Sequence, residues 1–186
     1  MPNIKVSSLP DASAMTGDEL VHVVQAGVSK KVPASQIVRR DHAAIFVYDG
    51  VYAQSVANGS TPAKLLHFAQ AGGAASHADG MVADHLNNQL IAGADGHYLV
   101  HYTLSYTCGQ NNVTWEAYAF ANGIQAQASG AMSKLSTGAD TQCISGVAIV
   151  EMEQGQALDL RMYHNYGAPV NLTVSHASLV ALFLHD

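Results

Sequence analysis

The sequence predicts an all-β sandwich or jelly roll. Three observations carry this: short runs of alternating apolar and polar residues, Gly- and Asn-rich breaks between them, and no long amphipathic helical stretch. About eight such runs follow one another from residue 43 onward.

The first is Ala44-Ile45-Phe46-Val47-Tyr48, ended by Asp49-Gly50. Leu65-Leu66-His67-Phe68 is a second short run. Residues 71–83 are small and read as loop. His97 to Tyr106 is the clearest strand. Tyr98, Val100, Tyr102, Leu104 and Tyr106 share one face, and His97, Leu99, His101, Thr103 and Ser105 the other. Val113, Trp115, Ala117 and Ala119 likewise oppose Thr114, Glu116, Tyr118 and Phe120. Asn122-Gly123 then reads as a hairpin turn. Ile144–Met152 and Ala157–Tyr163 flank Gln154-Gly155. Val170–Val174 and the nearly continuous apolar run Ser178–Leu184 complete the set. So apolar a run suits a strand buried on both sides. Ser, Thr and Gly around Lys134 read as loop.

Residues 1–40 form a separate appendage, and residues 41–186 the sandwich. Within the appendage, Leu20–Val24 and Val28–Val32 are β-type runs joined by Gln25-Ala26-Gly27, the pattern of a hairpin. A two-stranded hairpin is too small to stand alone, so it requires a surface to dock on.

Charged residues make up only 12% of the chain against 48% hydrophobic, which predicts burial of surface in an oligomer. Residues 1–40 carry five basic and three acidic side chains; residues 41–186 carry three and eleven. An acidic body is unsuited to nucleic acid or an anionic membrane. No apolar run approaches the roughly 18 residues of a membrane-spanning helix, and Met1-Pro2-Asn3-Ile4-Lys5 shows no secretory signal. Cys108 and Cys143 both lie in or beside strand-like runs and are expected to be buried as small hydrophobes.

Asp95-Gly96-His97-Tyr98-Leu99-Val100 resembles the Gly-x-Tyr strand of tumour-necrosis-factor-like and complement-globular-head jelly rolls. Ala121-Asn122-Gly123 resembles their Asn-Gly strand turn. Val147–Leu160 resembles their strand, Gly-polar turn and strand, although Gly155-Gln156 replaces the usual Gly-Asp. Ser178–Leu184 resembles the terminal strand, which in these folds runs near the trimer axis. The resemblance covers roughly residues 85–186. It implies a homotrimer, with Tyr98, Tyr102, Leu182 and Leu184 at the subunit interface.

The N-terminal stretch resembles another group. Val6-Ser7-Ser8-Leu9-Pro10, Met15-Thr16-Gly17-Asp18-Glu19-Leu20-Val21 and Val23-Val24-Gln25-Ala26-Gly27-Val28-Ser29-Lys30-Lys31-Val32 are similar to the opening segment of tailed-bacteriophage fibre and capsid-attached proteins. This resemblance implies attachment to a virion through Leu9, Leu20, Val21, Val23, Val24, Val28, Lys30 and Lys31. The chain is then a capsid decoration protein on the major capsid protein or another virion protein. It would be made in the host bacterial cytoplasm and carried on the outer capsid surface. The alternative is a short tail-fibre or baseplate protein recognising a host-surface glycan.

No GxSxG, HExxH, P-loop or GxGxxG motif is present, so no enzyme and no cofactor is expected. His97 and His101 share a strand face but stand about 13 Å apart by strand rise, too far for one metal ion. His77, Asp79, Asp84 and His85 read as loop residues rather than a metal site. Tyr98, Tyr102, Tyr106, Trp115, Tyr118 and Phe120 are assigned to core and subunit seams in preference to a sugar platform. Glu116 and Glu151 show no spacing that marks a glycosidase pair.

Overall fold

The computed structural model describes residues 20–25, 28–33, 41–58, 61–70 and 73–185, with backbone alone at 20–25, 28–33 and 73–76. Contacts divide the chain into two compact units, Met1–Arg39 and Arg40–Asp186.

In the first unit, β1 (Leu20–Gln25) and β2 (Val28–Pro33) pair antiparallel, Gln25 opposite Val28 and Leu20 opposite Pro33. The connection is therefore two residues rather than the three expected.

The second unit begins with β3 (His42–Val47), β4 (Ala53–Val56), β5 (Ala63–Lys64), β6 (Gly73–Asp79), β7 (Val82–Asp84) and β8 (Gln89–Ile91). The long strands follow: β9 (Gly96–Cys108), β10 (Val113–Ala121), β11 (Ile124–Gln125), β12 (Ala131–Leu135), β13 (Gln142–Met152), β14 (Ala157–His164) and β15 (Val170–His185). All pairings are antiparallel. One sheet runs β13-β9-β15-β3-β6, with β4 also on β15. The other runs β11-β10-β14-β8-β7, with β12 on β10 and β5 on β14.

The core lies between these sheets, as period-two alternation requires. Tyr98, Val100, Tyr102, Leu104 and Tyr106 of β9 point inward with Val113, Trp115, Ala117 and Ala119 of β10. Leu158, Leu160 and Met162 of β14 and Leu172, Val174, Leu179 and Ala181 of β15 complete it. Two turns match the sequence: Asn122 and Gly123 both take positive φ (48° and 77°), and Gly155 sits at 85° between β13 and β14.

Four expectations change. Residues 73–79 and 82–83 are strand rather than loop, because β6 pairs with β3 and β7 with β8; residues 71–72 lie outside the described residues. Their Gly, Ala and Ser residues give no hydrophobic alternation to read. Leu65–Phe68 is no strand: Leu65 is buried, and His67–Ala69 make one 3₁₀ turn. Lys134 lies in β12, opposite Thr114. Val170–Val174 and Ser178–Leu184 are one strand, offset by a bulge between Val174 and His176 that breaks the alternation into two runs.

One contact ties the sheets together. Tyr102 on β9 reaches across the core, and its hydroxyl donates to the carbonyls of Ala117 on β10 and Ser129, each at 2.8 Å. Gly146 on β13 is its register partner. A Cβ there would stand 2.2 Å from the Ser129 carbonyl oxygen and 2.6 Å from the Tyr102 ring. Ser129 is itself buried: its hydroxyl accepts from Ala119 N–H and donates to the Ala126 carbonyl. Burial pushes the Tyr102 phenol up, so the proton stays on the oxygen that donates it.

Tyr102→Phe leaves two buried carbonyls without that donor and is expected to lower unfolding stability by about 1–3 kcal/mol. Gly146→Ala forces the Ser129 backbone or the ring to move, at a cost of about 1–3 kcal/mol by overpacking. Urea midpoints at one fixed chain concentration test both; unchanged midpoints would remove the clamp from the account.

His67 is 1% exposed, with Nε2 3.1 Å from the Tyr52 carbonyl oxygen. Desolvation lowers its pKa below 6.5, against the opposing backbone hydrogen bonds of Leu172 and Tyr52. The folded chain therefore holds this imidazole neutral where the unfolded chain protonates. Stability is full above pH 6.5 and falls as pH drops below it. His67→Gln is expected to flatten the decline in urea midpoint from neutral pH toward pH ~5.5. A slope identical to that of the parent chain would exclude His67 as a source.

Candidate interaction surface

The outward side of the β13-β9-β15-β3-β6 sheet is aliphatic and open. Strand register builds it in rows. His42, Leu182, Leu99 and Ile149 stand side by side, and Ala44, Val180, His101 and Val147 form the next row. Phe46, Ser178, Thr103 and Ser145 follow. Alternation sends their neighbours Ala43, Ile45, Val100, Leu179 and Ala181 into the core. Leu182 and Leu184 are 39% and 40% exposed, and Val147 and Ile149 on the edge strand 54% and 60%. None of the six strands of this sheet contains Lys or Arg. Histidines stand in their place: His42, His97 and His101, with the His97 and His185 rings 4.8 Å apart and tilted by 30°.

An edge groove of about 410 Å³ adjoins this face. Ile149, Met152 and Glu151 of β13 form one wall, and Ala121, Ile124 and Gln125 the other. Ile124 is 73% exposed. Its sequence context, directly after an Asn-Gly turn, offers no alternation by which its exposure could be foreseen.

The predicted seam residues separate. Tyr98 and Tyr102 are fully buried inside one chain, so neither can touch a second copy, and that assignment is corrected. They lie on the inward parity of β9. The Tyr98 hydroxyl donates to the Ala94 carbonyl at 2.7 Å and accepts the Ala94 N–H at 3.1 Å. Leu182 and Leu184 do lie on the open face. Ser178–Leu184 is thus buried on one side only within the single chain. Of the predicted attachment residues, Leu20, Val21, Val23 and Val24 fall in β1 and Val28, Lys30 and Lys31 in β2, with Val23 opposite Lys30. Leu9 lies outside the described residues.

Tyr106 and Trp115 are core, their rings edge to face at 6.1 Å. Burial raises the Tyr106 phenol to about 12. Tyr118 departs from this group and faces outward on β10. Glu116 and Glu151 belong to different sheets and do not pair. Glu116 instead accepts hydrogen bonds from the Tyr118 and Tyr163 phenols. Among the described residues, no three His, Cys, Asp or Glu side chains converge as a metal site would require. Asp84 caps the short helical turn His85–Asn87: its carboxylate accepts from Asn87 N and Nδ2, and those bonds hold it below the usual carboxylate range.

The cysteines also separate. Cys108 is buried and donates to the Gln110 carbonyl at 3.0 Å. Cys143 is exposed, against expectation, with Sγ 3.3 Å from the Ser105 hydroxyl. It occupies an outward position of edge strand β13, where alternation in that polar stretch (Gln142, Cys143, Ser145) carries no apolar signal.

No protein-family model matches the chain, and no curated protein matches it. Solved structures do. The globular domain of zebrafish complement 1qA protein is similar over 80% of this chain and 99% of its own, with a TM-score of 0.52 at 10% identity. The fold is a complement-globular-head and tumour-necrosis-factor-like jelly roll. Murine APRIL is similar over 77% of this chain and 99% of its own (TM-score 0.48, 12% identity). Eiger TNF from S. frugiperda is similar over 80% and 95% (TM-score 0.48, 12% identity).

Exposure dictates thiol reactivity. The folded single chain, held monomeric by Leu182→Glu, is expected to take up one equivalent of maleimide, at Cys143, and a second only when denatured. Cys143→Ser should abolish the native reaction. Native labelling of Cys108 would contradict its burial.

Proposed function

We propose that the chain is a homotrimeric structural component of a tailed-phage virion: a capsid decoration protein that attaches through residues 1–40 and displays its jelly roll outward. The observation that carries the self-association is the aliphatic sheet face without Lys or Arg. Five strands at about 4.8 Å spacing and a length of about 30 Å give roughly 700 Å², close to the ~800 Å² per partner of a standard interface. Edge strand β13, with Val147 and Ile149 exposed, invites open-ended pairing unless something covers it. A cyclic trimer does so when the sheet face of one copy packs against the β13 edge of the next, a head-to-tail contact that closes after three. Virion attachment is supported by the N-terminal string, and by a hairpin whose two strands cannot be stable alone. The function is then mechanical: each trimer bridges shell subunits and adds binding free energy to the particle.

Sedimentation equilibrium at micromolar concentration is expected to give three times the 19.5 kDa chain mass. Leu182→Glu places a carboxylate in the aliphatic row of the face, on its central strand. It should leave a folded chain by circular dichroism and a monomer by sedimentation, because an unpaired charge buried in the trimer costs several kcal/mol. Lys134→Glu, on the other sheet, should remain trimeric. Deleting residues 1–40 should leave the trimer and abolish binding to particles. A monomeric parent chain would sink the trimer, and undiminished binding by the truncated trimer would move attachment onto the jelly roll. Electron-microscopic localisation on the particle separates the capsid assignment from a tail fibre.

A further inference from the structure

The outward side of the other sheet is built on different chemistry. Glu116 stands opposite Tyr163, Tyr118 opposite Arg161 and Phe120 opposite Asp159. Half of this face is closed on itself. Arg161 donates to both Asp159 oxygens, at 2.7 and 3.1 Å, and lies 4.3 Å over the Phe120 ring. Lys64 completes that cluster 3.6 Å from Asp159.

The other half is a pre-set aromatic platform. The Tyr118 and Tyr163 rings are parallel to within 2°, with centroids 5.9 Å apart. Both phenols donate to the same oxygen of Glu116, at 3.1 and 2.5 Å. Tyr118 is backed by Gly130, between the turn at Ser129 and β12: a Cβ there would stand 2.3 Å from its ring, so backbone lies against the aromatic. Tyr163 and Glu116 then line an open cleft of about 340 Å³ with Asn58, Asn165 and Tyr166. Its polar groups are fixed but not exhausted. Asn165 accepts the Thr114 N–H through Oδ1, which leaves its NH₂ group. Asn58 donates Nδ2 to the Gly167 carbonyl, which leaves its amide oxygen. Both phenols take the Oε2 of Glu116, which leaves Oε1.

We propose that this cleft binds one neutral hexopyranose residue of a glycan, the sugar's C–H face on the Tyr163 ring and its hydroxyls on Glu116, Asn58 and Asn165. A pyranose has one apolar face and a rim of hydroxyls, and the site offers one aromatic surface with a few placed donors and acceptors around it. The volume is at the small end of the range for ligand clefts and suits a single ring. A hydroxyl donated to a carboxylate is a charge-assisted bond. Side chains held by mutual hydrogen bonds lose little freedom on binding, which favours a weak, small ligand. Selection for neutral sugar follows from the lining: it has no Lys or Arg, and a sugar carboxylate would meet Glu116. The inference rests on the jelly roll alone; failure of the attachment or trimer experiments leaves it untouched.

Saturation-transfer-difference NMR on the full chain tests it, with millimolar methyl β-glucopyranoside, methyl β-galactopyranoside and methyl α-mannopyranoside as probes and N-acetylneuraminic acid as the anionic comparison. Transfer to the ring protons of at least one methyl glycoside is expected, and none to the acid. Tyr163→Ala should raise Kd about tenfold or more, the loss of one aromatic contact. Glu116→Gln, nearly isosteric and still able to accept from both phenols, should also weaken binding, and it carries the test if Tyr163→Ala disturbs the fold. Absence of transfer from all three methyl glycosides overturns the proposal. So does binding unchanged in Glu116→Gln and in a folded Tyr163→Ala, or tighter binding of the acid than of the neutral sugars.

Discussion

Two sheets that meet only through apolar contact can slide; a buried hydroxyl with two carbonyl partners cannot. Tyr102 supplies that constraint. Its ring needs the space that Gly146 leaves empty, and its proton needs the carbonyls that β10 and the turn at Ser129 present. Each requirement comes from a different part of the chain, so the contact specifies the sandwich as well as stabilising it. In a low-dielectric interior an unmet partner is costly, which makes the alternative packings poor competitors. Ser129, held in turn by Ala119 and Ala126, extends the constraint to the segment that leads into β12.

With the interior settled, each sheet sorts its outward residues differently. On the β9–β15 sheet they are mainly aliphatic, histidine and small hydroxyl residues, with no lysine or arginine in any strand. On the β10–β14 sheet they are tyrosine, phenylalanine, carboxylate and arginine, bonded to one another. A surface of the first kind gains most from losing its water; one of the second kind is already stable in water. The proposed division of labour, self-association on one side and display on the other, follows from this difference in solvation.

The long strands were legible in the sequence because large and polar residues alternate along them. Tyr98 to Tyr106 and Val113 to Ala119 sort to the two sides as their periodicity requires. Strand β6 was not, since Gly, Ala and Ser carry almost no hydrophobic contrast, and its place beside β3 is decided by tertiary pairing. Alternation also marks two sides without saying which is inside. Tyr98 and Tyr102, which the resemblance places at a subunit seam, have inward parity, while Leu182 and Leu184, of outward parity, lie on open surface. The Tyr118–Glu116–Tyr163 constellation joins residues 47 positions apart in sequence, and only the β10–β14 register brings them together.

The order of the strands in the β13-β9-β15-β3-β6 sheet has a consequence for synthesis. The last sandwich strand along the chain is the middle one in space: β15 pairs with β9 on one side and with β3 and β4 on the other. As the chain leaves the ribosome, β3 and β9 emerge well before the strand that joins them, and each presents an unpaired edge in the interval. The sheet is therefore completed only after residue 170 onward has cleared the exit tunnel. Completion of this sheet waits for β15, and the nascent chain is most exposed to aggregation just before that strand arrives.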